Sequence, residues 1–172
     1  PSQIPALTLV NAAGNTNFQA TGAGENSNIN VQASNINAGN NANFKADNDI
    51  NFVAGKNTSE QHSSNKSSSA SVGVGLSTSS GFTFNVALSK GRGKADGEDI
   101  VNTHTNVNAG NEFNVQTGND LNMKGATAQA KQITADIGND LNIESVQDKS
   151  TYHSEQKSVG VSVAVPIMGM GK

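Results

Sequence analysis

The chain has no cysteine and no tryptophan, one tyrosine, three prolines and a single arginine, Arg92, in 172 residues. Without cysteine there is no disulfide and no thiolate metal site. An extracellular home stays open, because a large chain exported in an extended state does well to carry no thiols. No run of about 18 apolar residues occurs, so nothing spans a bilayer as a helix. Acidic residues outnumber basic ones by 14 to 11, which removes the electrostatic basis for general nucleic-acid binding. Only 34% of residues are hydrophobic. The usual companions of low hydrophobicity in disordered chains, high net charge or many prolines, are missing too. Such a composition folds if the core is long and thin.

What the sequence does have is 25 asparagines and 18 glycines in recurring phrases. Gly-Asn-x-apolar-Asn-apolar occurs around residues 39–46, 48–52, 110–115, 118–123 and 138–143. Gly118 and Gly138 lie 20 residues apart. A longer offset of 91 carries Asn48-Asp49-Ile50-Asn51-Phe52 to Asn139-Asp140-Leu141-Asn142-Ile143, His62 to His153 and Lys66 to Lys157. "SVGVGL" at 71–76 returns as "SVGVSV" at 158–163, slipped by four residues.

Within the phrases apolar and polar residues alternate, as in Phe113-Asn114-Val115 and Leu121-Asn122-Met123. Period two predicts strands with one buried face. Residues 126–135 come nearest to a helical stripe, yet Ala126, Ala128 and Ala130 also alternate, and Ile133 and Thr134 favour strand. In a meander Gly-Asn would be a hairpin turn. In a parallel β-helix it is a corner between short strands. Recurrence at about 20 residues favours the β-helix, because stacking like on like makes sequence repeat at coil length. Glycine is expected at the corners for positive φ. Asparagines of successive coils, about 4.8 Å apart, are expected to bond in ladders.

Residues 57–100 break the pattern. "NTSEQHSSNKSSSA" reads alone as linker or disorder. Alternation then resumes with Val72, Val74 and Leu76, and with Phe82, Phe84, Val86 and Leu88, around a turn at Ser77–Gly81. A basic stretch from Lys90 to Lys94 and an Asp96-Gly97 turn follow. Two readings of this excursion stand open. It packs on or beside the coils, or its paired amphipathic strands meet a bilayer or pore wall, with Lys90, Arg92 and Lys94 at anionic headgroups.

Other motifs are weaker. His62, His104 and His153 read as surface residues, with His62 and His153 several coils apart and too distant to share a metal. Asp49, Asp120 and Asp140 recur at corners without calcium-loop spacing, and capping by the carboxylate is the expectation. "GRGK" at 91–94 lacks the spacing of a phosphate loop. A β-helical carbohydrate-active enzyme would need clustered carboxylates with Arg or Lys, and no such cluster is visible. No catalytic residue, metal or cofactor is expected.

"GNDLN" at 118–122 and 138–142, "SVGVGL" at 71–76, "SKGRGKADG" at 89–97 and "THTNVNAGN" at 103–111 occur together. The combination resembles the haemagglutinin repeats of filamentous haemagglutinin-type exoproteins, and most nearly the second haemagglutinin-repeat region of contact-dependent growth inhibition exoproteins. The resemblance covers residues 26–172 and implies a right-handed parallel β-helix, all-β, displayed by two-partner secretion on a Gram-negative cell. It implies a non-enzymatic segment that helps deliver a C-terminal toxin, with the target outer membrane or periplasm as a destination. The alternative reading is an adhesin stalk for host-cell attachment. Implied partners are a target-cell membrane or surface receptor and an outer-membrane transporter acting on a separate N-terminal domain. Nucleic acid is not among them, and exposed coil ends allow end-to-end pairing of a fragment. The expected organisation is coils over 1–56, an excursion with a strand pair over 57–100, coils over 101–148, and the start of a second excursion, cut short, over 149–172.

Overall fold

The computed structural model describes residues 7–77 and 81–167. They form two compact units. One runs up to Ser59 and resumes at Asp99–Ser150; the other holds Glu60–Glu98 and the chain from Thr151 onward.

The first unit is a parallel β-helix. Strands β1 (Thr8–Ala12), β2 (Thr16–Ala20) and β3 (Ile29–Gln32) make one coil, and β4 (Ser34–Ala38), β5 (Ala42–Ala46) and β6 (Ile50–Val53) make the next. The chain then leaves as β7 (Gly55–Ser77) and returns as β8 (Gly81–Thr103). A third coil follows in β9 (Thr105–Ala109), β10 (Glu112–Thr117) and β11 (Leu121–Lys124), and a fourth in β12 (Ala126–Gln129), β13 (Gln132–Ile137) and β14 (Leu141–Glu144). Each coil gives one strand to each of three parallel sheets, β1-β4-β9-β12, β2-β5-β10-β13 and β3-β6-β11-β14. Residues 126–129 and 132–135, the nearest thing to a helical stripe in the sequence, are therefore strand, with a corner at 130–131.

The repeated phrases stack. Ile50 pairs with Leu121 and Leu121 with Leu141, so the offset of 91 spans two coils and the excursion between them. Gly138 sits over Gly118: its N–H donates to Thr117 O at 2.9 Å, and Asn139 N–H to Asn119 O at 3.0 Å. The first coil carries extra residues between β2 and β3, where Gly24–Asn26 forms a 3-10 turn.

The interior is narrow and aromatic. Ile36, Phe44, Ile50, Phe52 and Val107 are buried, each contributing roughly 1.5–3 kcal/mol by burial. Phe18 stacks on Phe44 at 4.7 Å, and Phe44 meets Phe52 edge-on at 5.0 Å and Phe113 at 5.7 Å. Outside, amides stack in columns. Asn51 Nδ2 donates to Asn30 Oδ1 at 2.8 Å, Asn122 to Asn51 at 2.8 Å and Asn142 to Asn122 at 2.9 Å. Asn114 joins a second ladder through Asn43 at 2.9 Å, and Asn43 continues it to Asn17 at 2.8 Å.

Asp49 and Asp120 belong to a ladder of their own. Asp49 accepts from Asn119 Nδ2 at 2.8 Å and from the Asp120 N–H at 3.1 Å. Asp120 accepts in the same way from Asn139 at 2.9 Å and from the Asp140 N–H at 3.1 Å. These carboxylates cap corners.

The corner glycines correct the sequence reading. Gly39, Gly110, Gly118 and Gly138 do not have positive φ. A Cβ on any of them would collide with backbone one coil below: Ala13 O, Gly39 O, Asp47 O and Gly118 O respectively. Closeness of stacked backbones, rather than dihedral freedom, requires glycine there. Positive φ appears instead at the corner after the third sheet, at Ala33 (48°) and Gly125 (61°), and in the longer turn between β2 and β3, at Gly22 (97°) and Gly24 (55°).

The second unit is a sheet of three long strands in the order β15-β8-β7, where β15 is Lys149–Ile167. His62 faces Asp96, Ser69 faces Ser89 and Gly75 faces Thr83, so one antiparallel register joins β7 to β8. Gly97 faces Tyr152 and Gly160 faces Ser89, which sets β15 antiparallel to β8. Two expectations fail here. The serine-rich stretch 57–70 is strand, because backbone pairing needs no apolar side chain. Asp96-Gly97 is extended strand and not a turn; the ladder partners on both sides hold it straight. The turn expected at Ser77–Gly81 falls mainly outside the described residues.

Candidate functional site

Side chains alternate across a strand, and residues directly opposite on paired strands share a face. The register therefore places Val72 opposite Val86, Val74 opposite Phe84, and Leu76 opposite Phe82, with Leu88 in the next row beside Ala70. All seven residues singled out in the sequence lie on one face of the sheet. Val74 is 76% exposed and Leu76 75%; Val72, Phe82, Phe84 and Leu88 are exposed and Val86 partly so.

The sequence reading missed the third strand. The β8–β15 register brings Val161, Val163 and Val165 opposite Leu88, Val86 and Phe84, on the same face and exposed. The echo "SVGVSV" was the available signal. Its slip of four residues moves the start of the apolar run to Val159, in the row of Lys90.

The charged residues lie on that face too. Moving along the strands away from the apolar rows, Lys90 comes first, flanked by Ser68 and Val159. Lys66, Arg92 and Lys157 then form one row across the three strands. Beyond them come Lys94 beside Glu155, then His62, Asp96 and His153 in one row. The opposite face is built mostly from Ser, Gly, Ala and Asn, such as Ser67, Ser69, Gly91 and Gly93. A Cβ at 91 would stand 2.6 Å from Ser67 Oγ, a contact that rotation of the hydroxyl relieves. "GRGK" is thus part of a strand that points Arg92 and Lys94 to the same side as Lys90.

His62 and His153 are not several coils apart. They flank Asp96 because β15 joins the sheet of the first excursion. His62 Nδ1 donates to Asp96 Oδ1 at 2.8 Å. That bond, with smaller help from the charges of His62, Lys94 and His153, holds the Asp96 carboxyl below the ordinary carboxylate value. Among the described residues no group of three or more His, Asp or Glu could hold a metal ion. Among them, too, no helix is long and apolar enough to cross a membrane, which says nothing about strands.

A family model described as hemagglutinin repeat matches residues 6–161. The chain is similar to a deoxyribonuclease CdiA of Yersinia pseudotuberculosis, 30% identical over 99% of the chain and 16% of the relative. It is 30% identical to a toxin CdiA of Yersinia pestis, over 99% of the chain and 5% of the relative. It is 36% identical to a tRNA nuclease CdiA of an Escherichia coli strain, over 88% of the chain and 5% of the relative. The chain thus spans a sixth or less of the length of these curated relatives. No solved structure gives a significant match.

Proposed function

The chain belongs to the hemagglutinin-repeat family, and from that premise we propose that it is a non-enzymatic segment of a secreted surface filament that helps carry a toxic domain into neighbouring bacteria. The observation that carries this reading is that one and the same stretch recurs in relatives named for different activities: deoxyribonuclease, toxin and tRNA nuclease. A part shared by proteins of different activity is a part that does not specify the activity. The host would be a Gram-negative bacterium that displays the filament at its surface, with the nuclease or other effector elsewhere in the whole protein.

The two units divide the work. Each coil adds about 4.8 Å of reach, stabilised by its own core and ladders. The sheet supplies an exposed apolar face, unusual for a soluble surface and typical of surfaces that meet a membrane or partner. In this reading Val72, Val74, Leu76, Phe82, Phe84, Val86 and Leu88 enter the outer membrane of the target cell. Vesicle flotation of the chain tests the interfacial step. The chain is expected to float with vesicles and the double variant Val74→Asp, Phe84→Asp to stay behind; equal flotation of both contradicts it. In cells producing the whole exoprotein, the same double variant should remain on the surface yet lose inhibition of neighbours in co-culture.

A further inference from the structure

Like charges placed directly opposite each other destabilise a sheet, yet Lys66, Arg92 and Lys157 occupy one row across three strands, with Lys90 in the row beside it. Lys157 has a partner on its own strand, Glu155 Oε1 at 2.6 Å. Among the described residues, Lys66, Lys90 and Arg92 have no carboxylate within ion-pair distance. The four cationic side chains, with Ser68 and Val159, line one concavity of about 510 Å³. Among the described residues Glu155 alone answers these charges. An anion from outside answers the rest.

We propose that this band binds the phosphate groups of an anionic lipid surface, so that the sheet recognises which membrane it enters. The placement decides the partner. The band lies directly beside the apolar rows, so when Val74 and Phe84 sit in acyl chains, the cations lie at headgroup level. Arg92 offers planar paired donors to phosphate oxygens, and Lys66, Lys90 and Lys157 act as point charges around it. A soluble anion would use the charges and leave the apolar rows idle; a phosphate-bearing lipid uses both. The inference rests on the membrane reading above and adds headgroup selectivity to it.

The test uses the whole chain with two vesicle types, phosphatidylcholine alone and phosphatidylcholine mixed with phosphatidylglycerol. A lysine or arginine near an anionic surface strengthens binding about five-fold. The wild-type chain should therefore prefer the anionic vesicles by at least about ten-fold in low salt, and the preference should fall as salt shortens the screening length. The quadruple variant Lys66→Gln, Lys90→Gln, Arg92→Gln, Lys157→Gln should bind both vesicle types equally, at the wild-type level for phosphatidylcholine. Equal binding of the wild type to both types overturns the headgroup proposal and leaves the membrane reading intact. A preference that survives in the quadruple variant overturns it as well. Binding to neither type overturns both. Without vesicles, inorganic phosphate should show no saturable binding to the chain. Saturable phosphate binding that the charge variant loses would make free phosphate the occupant and overturn the lipid assignment.

Discussion

The coil unit and the long-stranded sheet are written in the same period-two alphabet and send their apolar residues to opposite places. In Phe113-Asn114-Val115 the apolar partners turn inward and are 2% exposed. In Val72-Gly73-Val74 they are 68% and 76% exposed. Strands of four to six residues separated by corners bend the chain around an interior shared by three sheets. Strands of 19 to 23 residues make no corner and so enclose nothing among themselves. Alternation states which residues share a face; strand length decides whether that face closes on itself.

The sharpest way to break this contrast is to truncate one phenylalanine from each region. Phe44→Ala should cost about 3–5 kcal/mol in urea unfolding, because it empties a site packed by Phe18, Phe52 and Phe113. Phe84→Ala, which loses only its cross-strand pairs with Val74 and Val165, should cost about 1 kcal/mol. Equal costs would mean that the sheet face is covered.

Glycines sharpen it next. Gly110→Ala must push apart two stacked backbones and should cost about 1–3 kcal/mol. At Gly73, where a Cβ meets nothing within 4 Å, the same change should be close to neutral. Asn51→Ala removes the middle of an amide ladder with bonds on both sides and should cost about 1 kcal/mol.

The smallest effect lies in the sheet. The bond from His62 holds the Asp96 carboxyl low, so His62→Ala should raise it toward the ordinary value of about 3.9, measurable by carboxyl NMR. A folded-state carboxylate below its unfolded value adds stability above that unfolded value. The contribution is then lost as pH falls through the lower folded one. Acid titration should therefore remove it below about pH 4 in the wild type and find little to remove in His62→Ala.

The contrast also explains what could be read in advance. The coils were legible because stacking repeats a sequence: Gly118 over Gly138 is visible as a phrase 20 residues apart. The ladders of Asn51 and Asn114 followed from the same spacing. The reason for the glycines was not legible, since approach between backbones depends on the neighbouring coil and leaves no mark within the residue's own phrase. Residues 57–70 hid as a linker because cross-strand pairing of serines carries no hydropathy signal. The apolar face was visible on two strands. Its third strand was missed because the register of β15 on β8, which brings Val163 opposite Val86 and His153 beside Asp96, is a tertiary fact.

The absence of cysteine opens the most direct test. Single cysteines at 72 to 76 and 82 to 86, each carrying a fluorophore, can be read on vesicles that contain a quencher in the acyl region. The account predicts quenching at the even positions 72, 74, 76, 82, 84 and 86 and little at 73, 75, 83 and 85. Quenching that ignores this alternation, or is absent at both parities, would contradict it.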